Sequence, residues 1–235
     1  MNKKIQEYYD QKSAVYARSL NKALLAFFSD SPPLTILDVG CADGELGVEL
    51  RGWGHKVFGM EISPMLAEEA SRKLNGVITG NVEDVTILEG FPEQFDAIIF
   101  GDVLEHTFHP KSVLERMKAR LSDTGFFVIS VPNIGYFRAR FRFLFDTVEY
   151  EPAGTFDEGH IRLFNERILT RMISEAGMKI VEWRSTYLPL VEYIHLLRGR
   201  EDLWLYRTLV EIERPVRGFF RRLAYPQFVV KAVKT

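Results

Sequence analysis

The chain has 235 residues, 46% hydrophobic and 26% charged, a profile that fits an ordinary globular protein with a substantial core. Its net charge of −2 and pI of about 6.2 speak against a general polyanion-binding surface, so nucleic acid is not an expected partner. Cys41 is the single cysteine, which excludes an intrachain disulfide and suits a reducing compartment. Met1–Glu7 lacks the apolar core of a signal peptide and no apolar run reaches membrane-spanning length, so a cytoplasmic location is expected.

Residues 5–28 read as a helix, with Tyr8, Tyr9, Val15, Tyr16, Leu20, Leu24, Leu25 and Phe28 at helical spacing. The breaker Ser31-Pro32-Pro33 follows, and then a first strand over 35–39. The strand runs into Asp38-Val39-Gly40-Cys41-Ala42-Asp43-Gly44 and a helix over 43–51. In a βαβ unit such a turn lies at the carboxyl edge of a parallel sheet, where open α/β folds bind nucleotides. Gly40 and Gly44 admit backbone angles that other residues avoid and let a ligand approach the main chain. The acids around the turn disfavour phosphate and suit a ligand carrying an ammonium and ribose hydroxyls. The dinucleotide fingerprint fails, because Ala42 and Glu45 stand where it needs glycine.

A second strand, 56–60, ends next to Glu61, an acid placed to bond two ribose hydroxyls. Ser63-Pro64 starts a helix with a capping serine and a proline at the first position. A third strand over 77–79 leads into Gly80-Asn81-Val82-Glu83-Asp84, and a fourth over 95–100 into Gly101-Asp102-Val103-Leu104-Glu105-His106. Asp102, Glu105 and His106 stand at i, i+3 and i+4, on one face of any helix that starts there. One histidine with two carboxylates is a hard ligand set suited to magnesium or manganese, less so to zinc. His160, further along, would fold over as a fourth ligand. Two other readings stay open: His106 as a metal-free base or a structural hydrogen bonder, and His160 as a cap of its own loop.

A helix holding Leu114, Met117 and Leu121 precedes a fifth strand over 126–131. Residues 134–163 then interrupt the alternation. Their run 136–145 alternates phenylalanine with arginine, either to lie on a membrane surface or lipidic substrate or to cover the active site with arginines snorkelling outward. Residues 214–225, with Arg217, Phe219, Phe220, Arg221, Arg222 and Leu223, have the same character. A helix over 165–176 closed by Gly177, a strand over 178–187, a mainly helical interruption over 189–225 and a final strand over 227–234 complete the pattern.

Asp38–Gly44 followed by Glu61 resembles the class I S-adenosylmethionine (SAM) methyltransferases, whose pattern is acid-x-Gly-x-Gly-x-Gly with an acid ending the second strand. The sequence departs from it at Ala42, a small residue. The resemblance implies an α/β, Rossmann-like seven-stranded fold with an antiparallel last strand. Residues 1–235 would form a single domain, with 1–30 as a lid helix and 134–163 and 189–225 as helical caps. SAM is the implied cofactor. Asp38, Gly40 and Gly44 would hold its amino-acid end, Glu61 its ribose, Asn81 and Val82 its adenine, and the Gly101 carbonyl its ammonium. Tyr16, Ala42 and Ile62 complete the set.

Asp102, Glu105, His106 and His160 resemble the acid-x-x-Glu-His…His arrangement of ubiquinone-pathway O-methyltransferases and small-RNA terminal 2′-O-methyltransferases. There it binds a divalent metal that holds the acceptor oxygens. Val131-Pro132-Asn133 through Gly159-His160-Ile161-Arg162-Leu163-Phe164 resembles methyltransferases of quinones, glycans and glycolipid-like intermediates. The expectation is methyl transfer to a small-molecule or lipid- or glycan-linked acceptor, at oxygen, with Glu105, His106 and His160 catalytic and a peripheral membrane contact. An RNA 3′-terminal 2′-O-methyltransferase and a non-catalytic SAM-binding protein are the alternatives.

Overall fold

Seven apolar runs become strands: β1 (Thr35–Val39), β2 (Lys56–Glu61), β3 (Gly76–Thr79), β4 (Phe95–Gly101), β5 (Leu121–Pro132), β6 (Met178–Arg184) and β7 (Gln227–Lys234). The structure, a computed structural model, describes residues 20–84, 90–185, 203–205, 207–209, 211 and 221–235. The strands form one sheet in the order β3-β2-β1-β4-β5-β7-β6. β1 to β5 pair in parallel, and β7 lies antiparallel between β5 and β6, as the resemblance implies.

The central strands read as continuous apolar runs because both faces of the sheet are covered. Side chains alternate between those faces. Leu37, Val39, Ile98 and Phe100 join one core with Val113, Leu114, Leu169 and Ile173. Ile36, Ala97 and Ile99 join the other with Leu24, Phe28, Leu50 and Ala70. The helices among the described residues are α1 (Lys22–Leu25), α2 (Glu45–Gly52), α3 (Pro64–Ser71), α4 (Pro110–Lys118), α5 (Phe137–Leu144), α6 (Glu166–Glu175) and α7 (Arg221–Ala224).

Helix ends follow local chemistry. The Ser63 side chain accepts from the Leu66 N–H, with Pro64 in the first turn of α3. Asn165 does the same for Ile168 at the start of α6, and Gly177 takes a left-handed φ of 73° just past its end.

Three expectations change. Leu121 opens β5 opposite Phe95 instead of closing a helix; α4 stops at Lys118, and the fully buried Leu121 reaches the core from extended backbone. Of the helix expected over 5–28, the described part is α1 alone. It is preceded by Asn21, whose extended backbone and capping side chain break the helical run. Residues 5–19, Tyr16 among them, lie outside the described residues, as do most of 189–220. β6 ends at Arg184 rather than at 187. The basic–aromatic run is α5, with Ala139 buried and Phe141, Leu144 and Phe145 exposed. No helix among the described residues is long and apolar enough to cross a membrane.

The direction of strand order reverses between β1 and β4. Loops at the carboxyl ends of those two strands therefore diverge and leave a crevice, the usual ligand position in open α/β sheets.

Candidate active site

A cavity of about 480 Å³ fills that crevice, within the range of small-molecule sites. Asp38, Gly40, Ala42, Glu61, Ile62, Asn81, Val82, Gly101 and His106 all line it. Four loops supply them, after β1, β2, β3 and β4. Gly44 is not at the wall. It shapes the turn instead, at φ 87° in the N-cap position of α2, where a Cβ would sit 3.2 Å from the Ala70 Cα. Ala42 also takes a left-handed φ, 48°. Its N–H donates to Glu61 Oε2 at 2.9 Å, and the Ser63 N–H donates to Glu61 Oε1 at 2.9 Å. Glu61 thus ties the loop after β1 to its own strand end.

Two acids give the cavity a cation-seeking wall. Asp38 is buried, and its Oδ2 has no hydrogen-bond partner. Burial first, and the charge of Glu61 second, push its pKa up to about 8. A positive group in the cavity relieves both effects. The Cys41 thiol is buried, and burial with the nearby Asp38 pushes its pKa well above the usual thiol value. That environment makes it inert as a nucleophile. At the third loop, Asn81 Oδ1 accepts from the Glu83 N–H at 2.9 Å, so one lone pair closes the turn and one remains for a ligand. Glu83 in turn accepts from the N–H groups of Phe108 and His109, holding the far lip of the cavity in place.

The fourth loop does not form the expected helical face. Asp102 takes a left-handed φ of 54°, and only a 3-10 turn over Leu104–His106 follows. The Asp102 carboxylate is therefore turned toward β5 and β7, where it accepts from Ser130 Oγ at 3.1 Å and from Gln227 Nε2 at 2.6 and 2.8 Å. Among the described residues, the ligand-type atoms gathered within 4.8 Å of one another belong to Glu105, His106 and His160. Asp102, expected as a fourth metal ligand, is not in that group.

His160 reaches the group through backbone pairing. The Glu105 carbonyl accepts from the N–H groups of Ile161 and Arg162, each at 3.0 Å, which docks residues 159–162 beside the 3-10 turn. His106 Nδ1 lies 2.9 Å from the Gly159 carbonyl and His160 Nδ1 3.3 Å from the Thr155 carbonyl. A carbonyl only accepts, so each ring donates from Nδ1. His160 Nε2 is 3.9 Å from Glu105 Oε1. Glu105 is fully buried, and neither of its carboxylate oxygens has a hydrogen-bond partner. Burial first, then the charge of Asp102, pushes its pKa well above the usual carboxylate range. A buried carboxyl beside two imidazoles is satisfied either by a proton or by a cation. Only His106 of the three reaches the cavity wall.

Sequence reasoning missed Asn21, Ser130 and Gln227. Asn21 and Ser130 line the cavity, and Gln227 holds Asp102 from a strand 125 positions away. Each sits in or beside an apolar run with no motif, so its position becomes meaningful only once the strands have paired.

The profile of a family described as a methyltransferase domain matches residues 9–182. The ubiquinone biosynthesis O-methyltransferase of Thiobacillus denitrificans is 27% identical over 205 residues, covering 80% of this chain and 85% of that protein. The mitochondrial ubiquinone biosynthesis O-methyltransferase of Schizosaccharomyces pombe is 32% identical over 100 residues, which span 40% of this chain and only 36% of that protein. Among solved structures, the 1,6-didemethyltoxoflavin-N1-methyltransferase of Burkholderia thailandensis, with bound 1,6-didemethyltoxoflavin and S-adenosylhomocysteine, shares the fold. Its TM-score is 0.61 at 18% identity, covering 98% of this chain and 85% of that one.

Proposed function

Because the chain belongs to the methyltransferase-domain family and is a SAM-dependent methyltransferase, we propose that it methylates a hydroxyl oxygen of a small-molecule or lipid- or glycan-linked acceptor. Glu105, His106 and His160 form the acceptor-side group. The carrying observation is the pair of imidazoles held at Nδ1 against backbone carbonyls beside a buried carboxyl whose oxygens have no hydrogen-bond partner, with His160 Nε2 3.9 Å from it. Metal-ligating histidines are typically fixed in this way by the bond at their other nitrogen. The donor set, two imidazoles and one carboxylate once Asp102 is excluded, fits a divalent cation held by Glu105, His106 and His160, and matches manganese better than magnesium. Such an ion supplies Lewis acidity that lowers the acceptor hydroxyl's pKa and fixes its oxygen.

The remaining work falls to the chain's own residues. Asp38 and Glu61 hold the cofactor's ammonium and ribose, Asn81 and Val82 its adenine. Methyl transfer from a sulfonium needs chiefly an oxygen aligned behind the methyl carbon, and the cavity wall at His106 is where that oxygen is presented. The names of the ubiquinone-pathway relatives support oxygen as the methylated atom. The exposed aromatics of α5 support a peripheral contact with a lipid surface that carries the acceptor. The RNA 3′-terminal reading rests on a side-chain set it shares with the ubiquinone-pathway family, and a net charge of −2 gives it no support of its own.

A second reading keeps the acceptor and drops the metal. Only His106 of the three lines the cavity, so it would take the hydroxyl proton at Nε2, with a neutral Glu105 and His160 packed behind it. Transfer of labelled methyl from SAM to a panel of hydroxylated aromatics and polyprenol-linked glycans tests both. Label on oxygen that is lost on chelation and restored by magnesium or manganese is the expected result. Full turnover in a verified metal-free sample selects His106 as the base. A product methylated at nitrogen or carbon overturns the proposal.

A further inference from the structure

The Asp102 main chain is held as firmly as its side chain. Its N–H donates to both the carbonyl and the Oγ of Ser130, at 3.3 and 3.0 Å. Ser130 is fully buried on β5 and in register with Gly101. In a planar trans peptide the carbonyl points opposite to the N–H of the next residue. With the Asp102 N–H fixed toward β5, the Gly101 carbonyl faces the other way, toward β1. The β1–β4 ladder has already ended there, at Val39 and Phe100, so that carbonyl faces the cofactor crevice.

The left-handed φ of Asp102 is needed for this peptide orientation, and a short polar side chain tolerates it when its oxygens are bonded. Gln227 supplies that bond to both carboxylate oxygens. The same amide accepts from Asn21 Nδ2 at 3.1 Å, while Asn21 Oδ1 caps α1 through the Leu24 N–H. One chain of bonds therefore runs from the start of α1, through the first residue of β7, to the loop after β4.

We infer that Ser130, Gln227 and Asn21 are positioning residues for the amino-acid end of the cofactor. They hold the Gly101–Asp102 peptide so that the Gly101 carbonyl meets the α-ammonium. The inference rests on the SAM-dependent reading. Calorimetric affinities for S-adenosylhomocysteine and for 5′-methylthioadenosine, which lacks the amino-acid end, separate positioning from general structural damage. Gln227→Met should weaken S-adenosylhomocysteine by about tenfold or more, the scale of one charged hydrogen bond. It should leave 5′-methylthioadenosine within about twofold, as for an independent site. Ser130→Ala, which removes one atom, should give the same split and stands in if Gln227→Met does not fold. Parallel losses for both ligands, or no loss for either, overturn the inference. A wild-type chain that binds neither ligand would instead sink the cofactor reading itself.

Discussion

Asp38 shows how one side chain carries both the electrostatics of the cavity and the affinity for its ligand. Its carboxyl, ordinarily near 3.8, is pushed up to about 8 by burial and by Glu61. The folded chain therefore keeps a proton between about pH 4 and 8 that the unfolded chain has released. The sign follows: stability without cofactor falls as pH rises through that window. A bound ammonium ionises Asp38 and expels the proton, so cofactor affinity rises with pH, by up to about tenfold per unit below 8. Titration calorimetry of S-adenosylhomocysteine between pH 6 and 7, in buffers of different ionisation enthalpy, should show this slope and close to one proton released. A flat affinity over that interval would contradict the account. Asp38, Glu61 and Gly40 were legible in the sequence because a strand, a glycine turn and an acid on the next strand are all local signals. The cost of Ala42 was not, since its left-handed φ is a property of the folded turn.

At the scale of elements, packing decides what the pattern leaves open. α2 and α3 lie close to β2, and the segments before α2 and after α3 meet at Gly59. A Cβ there would meet Cys41 Sγ at 2.5 Å and Leu74 Cδ1 at 2.9 Å. Gly59→Ala should cost about 1–3 kcal/mol in urea unfolding, the range for overpacking a filled core. Adding Cys41→Ala should recover part of that loss, because the two sites share one contact. Strictly additive effects would place the clash elsewhere. Caps such as Ser63 and Gly177 were readable because they act within one turn. The loop after β4 was not. Its acid, glutamate and histidine have helical spacing, but the left-handed Asp102 separates the first from the other two. Leu121 has the right spacing for α4, and pairing with Phe95 takes it into β5 instead.

Over the whole molecule, five parallel strands and the antiparallel β7 follow from alternating apolar and turn segments, and the strand order places the crevice. Contacts made only by assembly, such as Gln227 on Asp102, were invisible. So was the docking of residues 159–162 that brings His160 to Glu105. That docking creates the central feature of the account, two imidazoles beside a buried carboxyl whose oxygens have no hydrogen-bond partner. Manganese binding to the chain saturated with S-adenosylhomocysteine, followed by electron paramagnetic resonance, tests it most directly. The account predicts one bound ion per chain in the wild type, and loss of that binding in Glu105→Gln and in His160→Ala while S-adenosylhomocysteine affinity stays within about twofold. No bound manganese at millimolar concentration, or binding that survives in both variants, would contradict it.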